Sequence, residues 1–263
     1  GLIVEKASGM TYEDYVEQRI FAPLGMTRSM YCNSSENVPR RANGYSVQNR
    51  VIRRAPTNVH TWPFAAGSIC STAGDLVTWI KALHGGKGLS PKSYQEMITP
   101  AKLNDGTPLR YGLGIAAGKD SRGLTYTGHG GPIGGFNAEA GWYPDAQLAV
   151  VVLMNSSGNI DPGDVAGELA AELLPWQRPT VAPFTGNAAP LVGTYKGPGR
   201  GRDMVAQVTQ APQGIAVSIN GGQSRPAPWV EGMTFRLGSN FLIFRNGDLH
   251  LSGSSAYSIL KRQ

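Results

Sequence analysis

The chain's chemistry-bearing residues concentrate in Tyr126-Thr127-Gly128-His129-Gly130-Gly131-Pro132-Ile133-Gly134-Gly135-Phe136. Glycine costs backbone entropy on folding, so a run of it fits a place where another backbone or a ligand must come close. An imidazole inside such a run is placed to meet a ligand lying along a strand edge. His129 is therefore the candidate functional residue, with Gly130 and Gly131 beside it. A second His-Gly-Gly, His84-Gly85-Gly86, falls where a helix should end. Glycine there is a stop signal and the histidine complements the negative end of the helix dipole, so His84 reads as structural.

Other chemistries are poorly served. His60, His84, His129 and His250 show no metal-ligand spacing, and Cys32 and Cys70 form no C-x-x-C pair, so neither a metal nor a cofactor is expected. The two cysteines can pair as a disulfide or remain thiols; the spacing leaves both open. Trp62, Trp79, Trp142, Trp176 and Trp229 read as core or cleft-wall aromatics rather than cofactor platforms.

Several elements must position the His129 segment. Thr11-Tyr12-Glu13-Asp14 is a capping-box pattern opening a helix to about Ile20, stopped by Pro23 and Gly25, while Gly9 closes an earlier one. Ser71 or Thr72 caps a helix from Ala73 to Leu83, and Pro91–Ile98 follows Ser90. A strand pair is expected near Gly44–Ile52. Tyr111–Ala117 and Gly123–Thr127 are candidate strands, and Phe136–Tyr143 with Gln147–Asn155 form a hairpin about Pro144-Asp145. Asp161 or Gly163 starts a helix with Val165, Leu169, Leu173 and Leu174 on its apolar side. A proline-punctuated stretch, 177–190, reads as a linker. Beyond it, short strands such as Met204–Thr209, Ile215–Ile219, Met233–Leu237, Phe241–Phe244 and Tyr257–Leu260, with a hairpin signal at Asn246-Gly247, argue for a small all-β barrel.

Composition bounds the class. Of 263 residues, 41% are hydrophobic and 16% charged, with 35 glycines and 18 prolines, which suits a loop-rich folded protein and excludes a disordered one. The excess of 24 Lys+Arg over 18 Asp+Glu gives +6. The basic clusters, Arg40, Arg41, Arg50, Arg53 and Arg54 and then Lys196, Arg200 and Arg202, lack interleaved aromatics or a nucleic-acid signature, so no nucleic-acid partner is expected. The longest apolar run, Leu148–Met154, is too short for a membrane span. Gly1-Leu2-Ile3-Val4 reads like the middle of a helix rather than a signal peptide.

Five segments then carry a resemblance: SGMTYEDYVEQRIFAPLGM (8–26), AAGSICSTAGDLVTWIKALHGGKGLSP (65–91), YGLGIA (111–116), GHGGPIGGF (128–136) and WYPDAQLAVVVLMN (142–155). In this order they resemble the later part of the serine β-lactamase-related family, which includes penicillin-binding-protein-like peptidases and esterases. The tail, from LVGTYKG (191–197), is similar to the small lipocalin-like β-barrel often appended to such hydrolases. The fold implied is α+β: a partial β-lactamase/transpeptidase-like antiparallel sheet with flanking helices (1–176), the linker, and the barrel (191–263).

In that family a Ser-x-x-Lys motif supplies the nucleophile, a Tyr-x-Asn motif a proton shuttle, and a Lys-Thr-Gly or His-x-Gly strand borders the cleft. Only the last is matched in register, by His129-Gly130-Gly131; the resemblance implies that His129, the candidate catalytic residue, hydrogen-bonds substrate and that Gly130 and Gly131, the candidate substrate-binding positions, let substrate lie along the strand edge. Ser258-Ile259-Leu260-Lys261 matches literally but falls in a strand, where residues three apart point to opposite faces. Tyr31-Cys32-Asn33 matches literally too, after the PLGM segment rather than before the start of the chain. Pro132, following the third motif, has no N–H for an oxyanion hole. The expectation is a portion of a serine hydrolase for β-lactam, D-amino peptide or ester substrates, inactive alone because it lacks the attacking atom. The competing reading is a non-catalytic β-lactamase-like binding protein. The same expectation implies exposed apolar faces covered by a missing N-terminal portion or by self-association, and the relatives imply a periplasmic or secreted location.

Overall fold

Thr11 opens the second helical run through its own side chain: Oγ1 accepts from the Asp14 N–H at 3.0 Å. The computed structural model describes every residue except 33–40, 49–50, 57–58, 105, 121–122, 159, 175–181, 200, 202, 239 and 254–256. Gly9 closes the preceding helix, Leu2–Ser8, in the left-handed conformation with φ 71°. The helix expected to run to about Ile20 and be stopped by Pro23 and Gly25 passes through Pro23 and does stop at Gly25. Tyr12–Val16 widens into a π-helical turn over Glu17–Phe21 and then runs through Ala22–Leu24, ending at Gly25. The wider turn carries the chain past Pro23, which has no N–H for a regular helical bond. Val16, Phe21 and Met26 are buried there, with Trp79 packed against them.

Residues Gly1–Gln95 and Thr127–Leu174 form one unit, and Glu96–Tyr126 and Pro175–Gln263 a second. The sheet of the first unit is antiparallel. Strand Thr125–Ile133, which begins at the unit boundary, pairs with Phe136–Tyr143 from Thr127↔Trp142 to Ile133↔Phe136. Phe136–Tyr143 pairs in turn with Leu148–Met154. Opposed residues share a face, so Thr127, His129 and Gly131 lie on the Trp142 face, and Gly130 lies on the Glu139 face. Helix Ala73–His84, capped by Thr72, meets the Trp142 face through His84.

Helix Pro162–Leu173 is capped by Asp161 Oδ1, which accepts from the Gly163 N–H at 2.8 Å. Its buried residues include the small Ala166, Gly167 and Ala170, while Leu169 and Leu173 are 48% and 70% exposed. The leucine stripe read from the sequence is thus not the buried side. Small side chains let this helix approach closely, and the leucines remain outside.

Two short ladders complete this unit. Strand Tyr45–Gln48 pairs antiparallel with Val51–Arg54 and parallel with Ser156–Ser157. Met30–Tyr31 pairs with Ile69–Cys70, and Cys32 and Cys70 form a disulfide. The alternative left open by the sequence is settled by that two-residue ladder, which brings the cysteine Cα atoms to 5.6 Å.

The second unit is built on a nearly closed nine-stranded antiparallel sheet, running from Arg225–Ala227 around to Trp229–Glu231. The five strands expected from the sequence fall in it, with Met233 left in the turn before Thr234–Leu237. Asn246 and Gly247 turn with φ 52° and 82° between Arg245 and Asp248, which pair. Two positive φ values are what a tight type I′ hairpin requires. Tyr195, Phe235, Leu242, Leu249 and Leu260 are fully buried inside. Of the stretch expected as a linker, 177–181 lies outside the described residues; Phe184 packs edge-on to Phe235 at 5.0 Å, and Ala188 joins the barrel core.

Glu96–Tyr126 belongs to the same unit. The Arg110 guanidinium sits 4.7 Å from the Phe241 ring centre, and Arg245 donates to Thr107 Oγ1 at 3.0 Å. The strand expected over Tyr111–Ala117 is only Ala116–Lys119, with Tyr111 making an isolated bridge to Ala116. Gly114, at φ 76°, turns the chain between them.

Candidate active site

His129 sits mid-strand and exposed, on a segment hydrogen-bonded to Phe136–Tyr143. Its Nδ1 lies 2.6 Å from the carbonyl oxygen of Gly130. A carbonyl can only accept, so Nδ1 is the donor in this contact.

The glycines around it have different reasons to be glycine. A Cβ on Gly130 would lie 2.3 Å from Glu139 Oε2 and 2.8 Å from the Ala138 carbonyl oxygen. Gly130 is thus required by the neighbouring strand. Gly135, at φ 80°, would place a Cβ 2.5 Å from Ala55 Cβ and 2.9 Å from Gly44 Cα. There the close approach is by the protein's own backbone, tied by the Tyr45 N–H to the Gly135 carbonyl at 3.2 Å. A Cβ on Gly131 meets nothing within 4 Å. Of the two candidate binding glycines, Gly131 opens onto space and Gly130 is filled from behind.

Glu139 is a neighbour that no sequence signal exposed. Its Oε2 also lies 3.6 Å from where a Gly163 Cβ would be, at the start of helix Pro162–Leu173. The amide-rich end of a helix favours a carboxylate, so Glu139 fills the space left by Gly130 and buttresses the His129 strand.

His84 departs from its sequence reading. Its ring stacks on Trp142 and its Nδ1 lies 2.7 Å from the Tyr94 hydroxyl. Burial lowers its pKa to about 4. It is neutral near pH 7 and so cannot be the cation that complements the helix dipole. His60 is likewise pushed down, by burial and then by Arg41, whose guanidinium lies 3.2 Å from His60 Nε2.

The literal motif matches separate as strand geometry requires. Ser258 and Leu260 share the inner face of strand Tyr257–Arg262, with Leu260 fully buried, whereas Lys261 pairs with Asp248 at the surface. Tyr31 and Cys32 are engaged with the His60 carbonyl and the disulfide, and Asn33 lies outside the described residues. Among the described residues no group of three His, Cys, Asp or Glu could hold a metal ion, and no helix is long and apolar enough to cross a membrane.

A helix-flanked antiparallel sheet with a His-Gly-Gly strand, accompanied by a barrel, is a β-lactamase-like fold with an appended β domain. The family model described as Beta-lactamase matches residues 1–174, and the chain belongs to that family. A D-aminopeptidase of Brucella canis is 27% identical over 190 residues, covering 68% of this chain and 34% of the relative. Among solved structures, a D-stereospecific amidohydrolase from Streptomyces sp. aligns at 29% identity with TM-score 0.56, over 65% of this chain and 51% of that one. An octameric penicillin-binding protein homologue from Pyrococcus abyssi aligns at 23% identity with TM-score 0.58, covering 99% of this chain and 62% of that one, a likeness of fold. The chain spans 34% of the length of that D-aminopeptidase and 40% of the length of a putative penicillin-binding protein of Bacillus subtilis.

Proposed function

We propose that residues 1–174 form the substrate-binding side of a serine hydrolase that cleaves amide bonds of D-amino acid or short peptide substrates through an acyl-enzyme. His129 hydrogen-bonds the substrate, which lies along the strand past Gly131. The observation that carries this reading is the exposed His129 ring, held by its Nδ1 contact to Gly130, beside the one glycine of the pair that faces open space. The D-aminopeptidase and D-stereospecific amidohydrolase relatives support the amide class.

These residues alone are not an acylating catalyst. The chain's one literal Ser-x-x-Lys places serine and lysine on opposite faces of a barrel strand, and acyl transfer needs a nucleophile with a base in reach. The same observation favours the second reading, a binding protein without hydrolysis. Two further parts of the proposal have their own support. The exposed Leu169 and Leu173 suit coverage by a separate segment or a second copy, and the octameric homologue supports the latter. The disulfide supports a periplasmic or secreted location.

The test is intact-mass analysis of the chain after incubation with an activity-based fluorophosphonate and with a penicillin, alongside an NMR titration with D-phenylalanine amide. The expected result is no covalent adduct and reversible shifts at His129 and Gly131. An adduct on a serine of this chain overturns the statement about catalysis. Absence of shifts along the strand overturns the site.

A further inference from the structure

The interior of the barrel is filled unevenly. At one end Tyr195, Phe235 and Phe244 pack edge to face at 5.7 and 5.9 Å, and Phe184 adds to them. At the other, a cavity of about 460 Å³ opens among Met204, Ile219, Leu237, Leu251, Asn240 and Ser258.

Period-2 alternation shows that these six side chains point inward. Each lies two residues from a buried core residue on its own strand: Ala206, Val217, Phe235, Leu249, Leu242 and Leu260. The positions that would continue the core are therefore lined but not filled. A space of this size falls within the usual range for small-ligand pockets.

The lining has a defined chemistry. Met204, Ile219, Leu237 and Leu251 are apolar and pack against the buried core. Two polar side chains face leucines across the ladder, Asn240 opposite Leu237 and Ser258 opposite Leu251. Among the described residues neither side chain has a hydrogen-bond partner, so an amide and a hydroxyl stand at the cavity available to a ligand. At the rim, Asp203 is neutralised by Lys196 at 3.0 Å.

We propose that this mouth is a binding site for one small neutral amphiphile: a medium-length acyl or alkyl body against the four apolar side chains, and a hydroxyl or amide head at Asn240 and Ser258. A carboxylate or ammonium head is disfavoured, because no unpaired charge on the described lining would compensate its desolvation.

The test uses the whole chain and 1-decanol, followed by methyl NMR at Met204, Ile219, Leu237 and Leu251 and by displacement of the dye N-phenyl-1-naphthylamine. The expected result is saturable one-to-one binding, with shifts confined to those methyls, and at least tenfold weaker binding of decanoate and decylamine. Leu251→Trp, which fills the space, should weaken decanol at least tenfold, and Asn240→Leu should lower the preference for decanol over decane. If Leu251→Trp does not fold, Ser258→Phe fills the same mouth from the next strand. The proposal is overturned by non-saturable binding, by shifts elsewhere, by equal affinity for the charged probes, or by dye displacement indifferent to the filling variant.

Discussion

The imidazole of His84 lies on the indole of Trp142 with ring centres 5.2 Å apart and planes 6° from parallel. This stack joins the end of helix Ala73–His84 to the strand that backs His129, and it works with an uncharged ring. With the folded pKa lowered to about 4 and the unfolded value near 6.5, the unfolded chain takes up the proton first as pH falls. The contribution is fully present above about pH 6.5, declines toward pH 4, and is flat below. The ring is only half-buried, so a discounted loss of about 1 kcal/mol between pH 7 and 5 is expected. His60, also shifted down, changes stability in the same direction. Urea midpoints of wild type and His84→Gln at both pH values isolate the His84 part: the variant should be less stable at pH 7, with the difference shrinking at pH 5. A difference unchanged with pH would refute the neutral-stack account.

Gly130 and Gly131 should respond differently to the same substitution. Gly130→Ala drives a methyl into the Ala138 carbonyl and the Glu139 carboxylate, at an expected cost of about 1–3 kcal/mol. Gly131→Ala meets open space and should leave the thermal midpoint within about 1 °C while weakening D-phenylalanine amide. Calorimetry on the two variants checks both outcomes.

His129→Ala should separate binding from folding. The ring is exposed on its strand, so stability should change by less than about 0.5 kcal/mol. Loss of one substrate hydrogen bond should weaken D-phenylalanine amide by up to about tenfold. A large fall in the thermal midpoint would make His129 structural.

The disulfide closes a loop between residues 38 apart. Its removal should cost about 2–4 kcal/mol, chiefly through the freed unfolded chain. The comparison is the urea midpoint with and without a phosphine reductant, and with Cys32→Ala/Cys70→Ala. The ladder Met30–Tyr31 with Ile69–Cys70 should lose amide-exchange protection first, since it is two residues long.

Much of this was legible where the signal is local. The Thr11 and Thr72 caps, the Gly9 stop and the Asn246-Gly247 hairpin each follow from a few neighbouring residues, and each appears where its chemistry places it. The His129 segment was legible as a strand with a special reason for its glycines. Which glycine answers to which neighbour was not, because Ala138, Glu139 and Gly44 are set by pairing and tertiary approach. Leu169 and Leu173 misled because helix periodicity marks an apolar stripe without saying what lies opposite it. The helix instead uses Ala166, Gly167 and Ala170 to come close to the sheet. Pro23 misled because a widened turn absorbs it. His84 misled because its charge depends on an aromatic partner remote in sequence.

The anchoring of Arg110 over Phe241 and of Arg245 on Thr107 constrains how this architecture can be taken apart. The stretch Glu96–Tyr126 runs directly into the His129 strand, yet it is grouped with the C-terminal sheet, which Thr107 and Arg110 contact. A graft that exchanges the tail for another module would strip that stretch of its footing just upstream of the histidine. Swaps between relatives should therefore carry both pieces, with crossover points chosen by spatial partnership rather than by a single cut in the chain.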